Sequence, residues 1–154
     1  MSRFFIDTPF ERWLIVEFCN KKICSIKFSS QREGIPLTGD LKKVFEYIFL
    51  HKDFSCFDYT LLDMDLLSRN ELLLHKFLIE TKIGEVYAYS DVATVLFKKP
   101  TYARFVGNLL KKNRFVFVVP CHRVVAKNGI GGYTPSIESI ELKRKILRWE
   151  GLSI

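Results

Sequence analysis

Along the first third of the chain, apolar residues fall in short runs of the kind strands make. Phe4-Phe5-Ile6, Trp13-Leu14-Ile15-Val16-Glu17-Phe18 and Ile23-Cys24-Ser25-Ile26-Lys27-Phe28 follow one another, and the third alternates with period two, as a half-buried strand does. Ser29 to Gly39, with Gly34 and Pro36, is a polar stretch and reads as a loop. Leu41, Val44, Phe45, Ile48 and Phe49 then recur at helical spacing. The expectation is a small antiparallel sheet with one helix packed on it.

From Lys52 to Leu67 no period is visible, and a helix start follows. Ser68-Arg69-Asn70-Glu71 fits a capping box, which predicts a helix to about Lys82 that buries Leu73 and Phe77, with Leu74 and Leu78 beside them. Gly84 stands where a left-handed cap belongs. A boundary near this point divides the chain into residues 1–67 and 68–154.

Beyond it the pattern is helix, turn, helix. Ser90 is placed to cap Asp91 to Phe97, Lys98-Lys99-Pro100 breaks that helix, and a second runs from about Thr101 to Lys112. In the second, Ala103, Val106 and Leu110 share one face, and Arg104, Asn108 and Lys111 share another. One face packs, and the other is left for a partner or for water. Phe115-Val116-Phe117-Val118-Val119 reads as a strand buried on both faces and ended by Pro120. Asn128-Gly129 marks a hairpin turn with Ile130-Gly131-Gly132-Tyr133 after it, and a last helix from about Ile137 to Trp149 stops at Gly151. The class is α+β, with a winged helix-turn-helix as the second part.

Charge sharpens that division. The net charge of +7 has its whole excess after residue 69: residues 1–69 carry 10 Lys/Arg and 10 Asp/Glu, residues 70–154 carry 14 and 7. A basic half beside a neutral one suits a polyanion such as nucleic acid, and equally a solubilising surface. No stretch is long and apolar enough to span a membrane, and the opening Met1-Ser2-Arg3-Phe4-Phe5 lacks the features of a secretory signal, so a cytoplasmic location, or a nuclear one in a eukaryote, is expected. The four cysteines are too few and too irregular for a disulfide scaffold, and no metal-ligand spacing is present. Free thiols are therefore expected, with Cys19 and Cys24 as the exception if a hairpin turn sets them face to face.

Cys121 follows an apolar run and precedes His122. A cysteine attacks as its thiolate and needs a nearby base, which an adjacent histidine supplies only if the backbone turns sharply, as Pro120 permits. On this pair alone, a buried structural cysteine beside a surface histidine is the favoured reading.

The longer run decides between them. Pro120-Cys121-His122-Arg123-Val124-Val125 resembles the active-site signature of the O6-alkylguanine-DNA alkyltransferases. The resemblance extends over residues 70–154 through Gly84-Glu85-Val86, Tyr89, Ala103-Arg104, Val106-Gly107, Asn113, Gly131-Gly132-Tyr133, Lys143 and Glu150-Gly151. The N-terminal part is similar to the family in its order of elements only, which implies a ribonuclease H-like arrangement.

What the resemblance implies attaches to particular residues. Cys121 would accept the alkyl group, His122 would act as base through a water, and Glu150 would orient the imidazole. Tyr89 would donate to the leaving guanine, and Asn113 would be the hinge between the recognition helix and the cysteine. Double-stranded DNA would be met in its minor groove, with Arg104 filling the place of the flipped nucleotide and Thr101, Tyr102, Gly107, Asn108 and Lys111 around it. Val124, Val125, Tyr133 and Thr134 would line the base pocket, and Arg123 would pair with an acid or a carbonyl. No cofactor and no metal are implied, and the protein would act as a monomer.

Two departures from the family pattern stand out. Tyr102 and Phe105 flank Ala103-Arg104, where small residues are usual, and Thr134 to Ser139 is longer and lacks the usual glycine. Three other readings compete: an alkyl-damage sensor without chemistry, which would lack the cysteine; a non-catalytic winged-helix DNA-binding protein, which leaves the signature unexplained; and a cysteine hydrolase, for which no oxyanion-hole glycine pattern precedes Cys121.

Overall fold

A computed structural model describes residues 1–131 and 139–154. Strands β1 (Ser2–Asp7), β2 (Trp13–Cys19) and β3 (Lys22–Ser29) form an antiparallel meander at the three places where the apolar runs predict it. The polar loop after them is not wholly a loop. Ile35–Pro36 is a short strand, β4, that pairs in parallel with β1, so the sheet is mixed, in the order β3-β2-β1-β4. Gly34 explains how the chain comes so close: its φ is +82°, and a Cβ there would lie 2.0 Å from the Arg3 carbonyl oxygen.

Helix α1 (Gly39–His51) packs Phe45 and Ile48 into the core. The aperiodic stretch after it makes two 3-10 turns, Tyr59–Leu61 and Met64–Leu66. The helix starts where the sequence predicts, with half of the capping box: Ser68 Oγ accepts the Glu71 N–H, and the Glu71 carboxylate accepts from the Ser68 hydroxyl in place of its backbone N–H. Helix α2 (Arg69–Ile79), however, buries Leu74, His75 and Leu78, while Leu73 is 41% exposed and Phe77 is half-buried. The inward face is rotated from the expected one because His75 is also buried. The helix also stops short of Lys82. Thr81 Oγ1 donates to the Leu78 carbonyl, and Gly84, at φ +90°, lies in the following turn and not at the cap.

Strand β5 (Tyr87–Ala88) leads into α3 (Tyr89–Phe97), whose cap position is Ala88, so Ser90 lies within the helix and does not cap it. Lys98 closes α3 in the left-handed region at φ +70°. After a 3-10 turn at Pro100–Tyr102, helix α4 (Ala103–Lys111) buries Val106, Leu109 and Leu110 and exposes Arg104, Asn108 and Lys111.

Phe115 to Val119 is fully buried but is not a strand. Phe115 bridges Ile26, Val116 bridges Val119, and the chain turns between them, with Phe117 at φ +80°. A bulky residue at positive φ costs about 1–3 kcal/mol. The Phe117 ring repays this by meeting Phe10, Phe28, Phe49, Phe54, Trp149 and His122 at 5.0–6.4 Å between centroids. Such ring pairs contribute about 0.5–1.5 kcal/mol each beyond their burial. They join residues from both halves of the chain, and the buried apolar side chains form one continuous cluster.

Strand β6 (Val124–Val125) pairs in parallel with β5, and the segment expected to return after the Asn128-Gly129 turn runs on into residues outside the described ones. Helix α5 (Ile140–Trp149) is capped by Ser139, whose hydroxyl accepts the Leu142 N–H, and is followed by Gly151 at φ +100°. The predicted start at Ile137 lies outside the described residues. Cys19 and Cys24 form a disulfide, the exception named to the free-thiol expectation: the β2–β3 register skips Cys24 in a bulge and leaves the two Cα atoms 5.7 Å apart. Cys56 and Cys121 are free thiols, the first exposed and the second buried. Among the described residues no helix is long and apolar enough to cross a membrane.

Candidate active site

Asn113 sets the frame. Its backbone N–H donates to Leu110 at the end of α4, its side-chain oxygen accepts the Phe115 N–H at 2.9 Å, and its amide donates to the Val119 carbonyl at 3.0 Å. One buried side chain thus holds both ends of the turn that leads to Pro120. Tyr59 Oη donates to the Val118 carbonyl at 2.7 Å from the opposite side, and burial pushes its phenol up to about 12. Cys121 to Arg123 follow as a 3-10 turn, with the Cys121 N–H bonded to Val119 and the Arg123 N–H to Pro120. This is the sharp reversal the Cys-His pair requires.

All three residues of that turn are buried, as is Glu150 at the end of α5. His122 Nε2 and Glu150 Oε2 are 2.8 Å apart. Arg123 meets the same carboxylate twice, Nε to Oε1 and Nη2 to Oε2, each at 2.9 Å. Its Nη1 donates to both the carbonyl and the hydroxyl of Thr81, and its guanidinium lies over the Phe54 ring. Arg123 therefore pairs with both an acid and a carbonyl. Burial pushes the Glu150 carboxyl up, but His122 and Arg123 together outweigh it and hold the pKa at about 2. Burial lowers His122 against the pull of Glu150. An ionised carboxylate only accepts, so a neutral His122 carries its proton on Nε2. Nδ1 is then the basic nitrogen, and it has no hydrogen-bond partner among the described residues.

Lys143 is the residue to which the sequence assigns no role. It lies on the buried face of α5 with Leu142, Ile146 and Leu147, and its Nζ donates to the Val124 carbonyl at 2.8 Å. Burial lowers it to about 8, and the charge of Cys121 pulls the other way. A lone lysine on an otherwise apolar helix face is the signal that could have marked it.

The β5–β6 pairing places the two remaining parts side by side. Tyr87 is opposite Val124 and Ala88 opposite Val125, so Tyr89, which begins α3, lies next to the strand that leaves Cys121. Lys143 Nζ is 5.8 Å from the Tyr89 ring centre. Gly131, at φ +84°, has room for no side chain: a Cβ would lie 2.9 Å from Tyr89 Cε2 and 3.0 Å from its hydroxyl. Gly107 of α4 faces the same ring. The structure thus gathers Cys121, His122, Glu150, Arg123, Asn113, Lys143, Val124 and Tyr89. Thr101, Tyr102, Arg104, Asn108 and Lys111 are exposed on the helix pair outside this cluster. Tyr133 and Thr134 lie outside the described residues. No group of three His, Cys, Asp or Glu side chains able to hold a metal occurs among the described residues.

A buried thiol, a carboxylate-held imidazole in the next residue, and a helix pair whose exposed residues include Arg104 and Lys111 are what this fold brings together. The family model for the DNA-binding domain of 6-O-methylguanine DNA methyltransferase matches residues 74–152, and the chain belongs to that family. It is similar to the methylated-DNA--protein-cysteine methyltransferases of Metallosphaera sedula, 45% identical over 78 residues, and of Sulfurisphaera tokodaii, 38% identical over 87 residues. Those matches cover 51% and 55% of this chain and 46% and 52% of the relatives, so they span about half of each protein. Over the whole length, the crystal structure of the O6-methylguanine-DNA methyltransferase of Pyrococcus kodakaraensis has the same fold, with TM-score 0.74 and 27% identity over 98% of this chain and 99% of that one. The Mycobacterium tuberculosis O6-methylguanine methyltransferase shares the fold at TM-score 0.74 and 22% identity, covering 97% of this chain and 92% of that one, and the same values hold for the Mycobacterium tuberculosis OGT solved in complex with DNA.

Proposed function

We propose that this protein repairs DNA by taking the alkyl group from O6 of guanine onto Cys121, irreversibly and once per molecule. The observation that carries this is the buried chain of contacts from Arg123 through Glu150 to His122, which leaves His122 Nδ1 as a base in the residue next to the thiol. The step balances without a co-reactant. The Cys121 proton passes through a water to Nδ1, the thiolate attacks the alkyl carbon, an S–C bond forms and the C–O6 bond breaks with its electrons going to the purine. Tyr89 donates to the departing guanine as that charge develops. The Lys143 ammonium favours the thiolate.

Extrusion of the nucleotide falls to the exposed face of α4, where Arg104 fills the vacated place from the minor-groove side. Thr101, Tyr102, Gly107, Asn108 and Lys111 surround it. Val124 and Val125, with Tyr133 and Thr134, line the base pocket. In this reading residues 68–154 are a winged helix-turn-helix unit and residues 1–67 a ribonuclease H-like one. The protein acts as a monomer in the compartment that holds the DNA, the cytoplasm or a nucleus, and needs no cofactor. A non-catalytic DNA-binding or damage-sensing role would leave the buried His122–Glu150–Arg123 set without a purpose.

Titration of the protein with a duplex containing O6-methylguanine tests the reading through stoichiometry. Repair that stops at one guanine per protein, and is absent in Cys121→Ser, supports it. Repeated turnover points to a hydrolase, and binding without repair to a sensor.

A further inference from the structure

The entry to α4, from the end of the preceding 3-10 turn into the first helical turn, carries two rings that packing does not account for. Tyr102 is 44% exposed and Phe105 is 37% exposed. Phe97 meets both edge-on, at 6.5 Å from Tyr102 and 5.2 Å from Phe105, so the pair is steadied from beneath and open above. At helical spacing, Thr101, Arg104, Phe105 and Asn108 share the outward stripe, and all four are exposed. Phe105 is thus the immediate neighbour of Arg104 on the surface that faces outward.

The surroundings say what meets that surface. Residues 98–114 contain Lys98, Lys99, Arg104, Lys111, Lys112 and Arg114, and no Asp or Glu occurs between Asp91 and Glu138. A purely apolar partner, or a second copy of the same face, would bring these cations into low dielectric or against one another. A polyanion with stackable faces satisfies charges and rings together. In DNA, a minor groove about 6 Å wide does not admit a helix carrying a protruding phenyl ring beside an arginine. Apolar side chains presented to that groove enter between base steps, part the stack and kink the duplex.

We propose that Phe105, held by Phe97, is a stacking wedge that enters the base stack beside the step Arg104 occupies, with Tyr102 at its edge, so that this protein kinks the duplex on binding. The inference rests on the DNA-repair reading above and goes past it by assigning the deformation of the DNA to a ring. Arg104 fills the place of the flipped nucleotide, and Phe105 keeps the neighbouring step open.

The test uses undamaged duplex labelled at both ends for energy transfer, with the parent protein and Phe105→Ala, Phe105→Leu and Phe105→Trp. The parent is expected to shorten the end-to-end distance on binding. Phe105→Ala should lose the bend and about tenfold in affinity, since a stacked ring contributes a gain of that order. Phe105→Trp should restore both, and Phe105→Leu, apolar but without a π face, should restore the bend without the affinity that stacking supplies. Circular dichroism of each variant checks the fold. If Ala does not fold, the Leu and Trp pair still decides. An unbent parent complex, or equal affinity of the Leu and Trp variants, overturns the stacking wedge. Undamaged DNA keeps this separate from the repair reading, which stands or falls on alkyl transfer.

Discussion

His122 and Glu150, 28 residues apart in sequence, meet at 2.8 Å with both side chains fully buried. Because the carboxylate can only accept, this contact fixes which imidazole nitrogen is protonated and which is the base. Glu150→Gln keeps the shape but offers an amide, which supports the opposite tautomer as readily. Single-turnover transfer should slow by at least about 100-fold, within the range that general-base catalysis supplies. DNA affinity should stay unchanged. A rate within threefold of the parent would show that Glu150 does not position the base.

Arg123 satisfies the same carboxylate through two 2.9 Å bonds and ties it to Thr81. Arg123→Met leaves a buried carboxylate with only a neutral imidazole. Breaking a buried pair on one side costs about 3–5 kcal/mol, and urea unfolding should show a loss of that order. A loss below about 1 kcal/mol, the size expected of an exposed pair, would contradict the burial argument.

Lys143 gives a pH signature. Its pKa in the folded protein is about 8, below the ordinary 10.5. Between these values the unfolded chain binds more protons than the folded one, so stability rises as pH rises through that window. Removing the lysine removes the rise. Urea midpoints measured across the window should climb in the parent and climb less in Lys143→Met, while the variant also transfers alkyl groups more slowly because the cation beside Cys121 is gone. Parallel midpoint curves would show that burial does not depress this lysine.

Gly131 and Tyr89 define a close fit. A Cβ at Gly131 meets the Tyr89 ring at 2.9 Å in a backbone conformation that other residues avoid. Gly131→Ala should displace the ring and slow transfer by about tenfold or more, in line with the loss of one transition-state donor. The paired variant Tyr89→Phe, which loses the hydroxyl and keeps the ring, should show a comparable loss. Full activity in both would remove Tyr89 from the mechanism.

These contacts were unevenly legible in the sequence. Helical spacing located α1 and both faces of α4, and the capping box located the start of α2, because each is a local rule that tertiary packing did not override. The run Pro120 to Val125 pointed to the site and, through its family resemblance, to Glu150. What failed was long-range. Phe115 to Val119 has the composition of a buried strand, but Asn113 and six rings around Phe117 fold it into a turn. Leu73 lies outward because His75 takes the inward face of α2. The Cys19–Cys24 disulfide depends on a bulge, and β4 on the absence of a Cβ at Gly34. Lys143 was visible as a residue but not as a cation whose charge acts on Cys121, since its place at the Val124 carbonyl needs α5 folded against β6.

The central claim is that Cys121 is consumed in the reaction. The measurement that tests it most directly is the intact mass of the protein after incubation with excess duplex carrying one O6-methylguanine, followed by peptide mapping. The expected result is the gain of a single methyl group, located on Cys121, with unmodified guanine appearing in equal amount in the DNA. An unchanged protein mass while the methylguanine disappears, or a methyl group found on another residue, would contradict it.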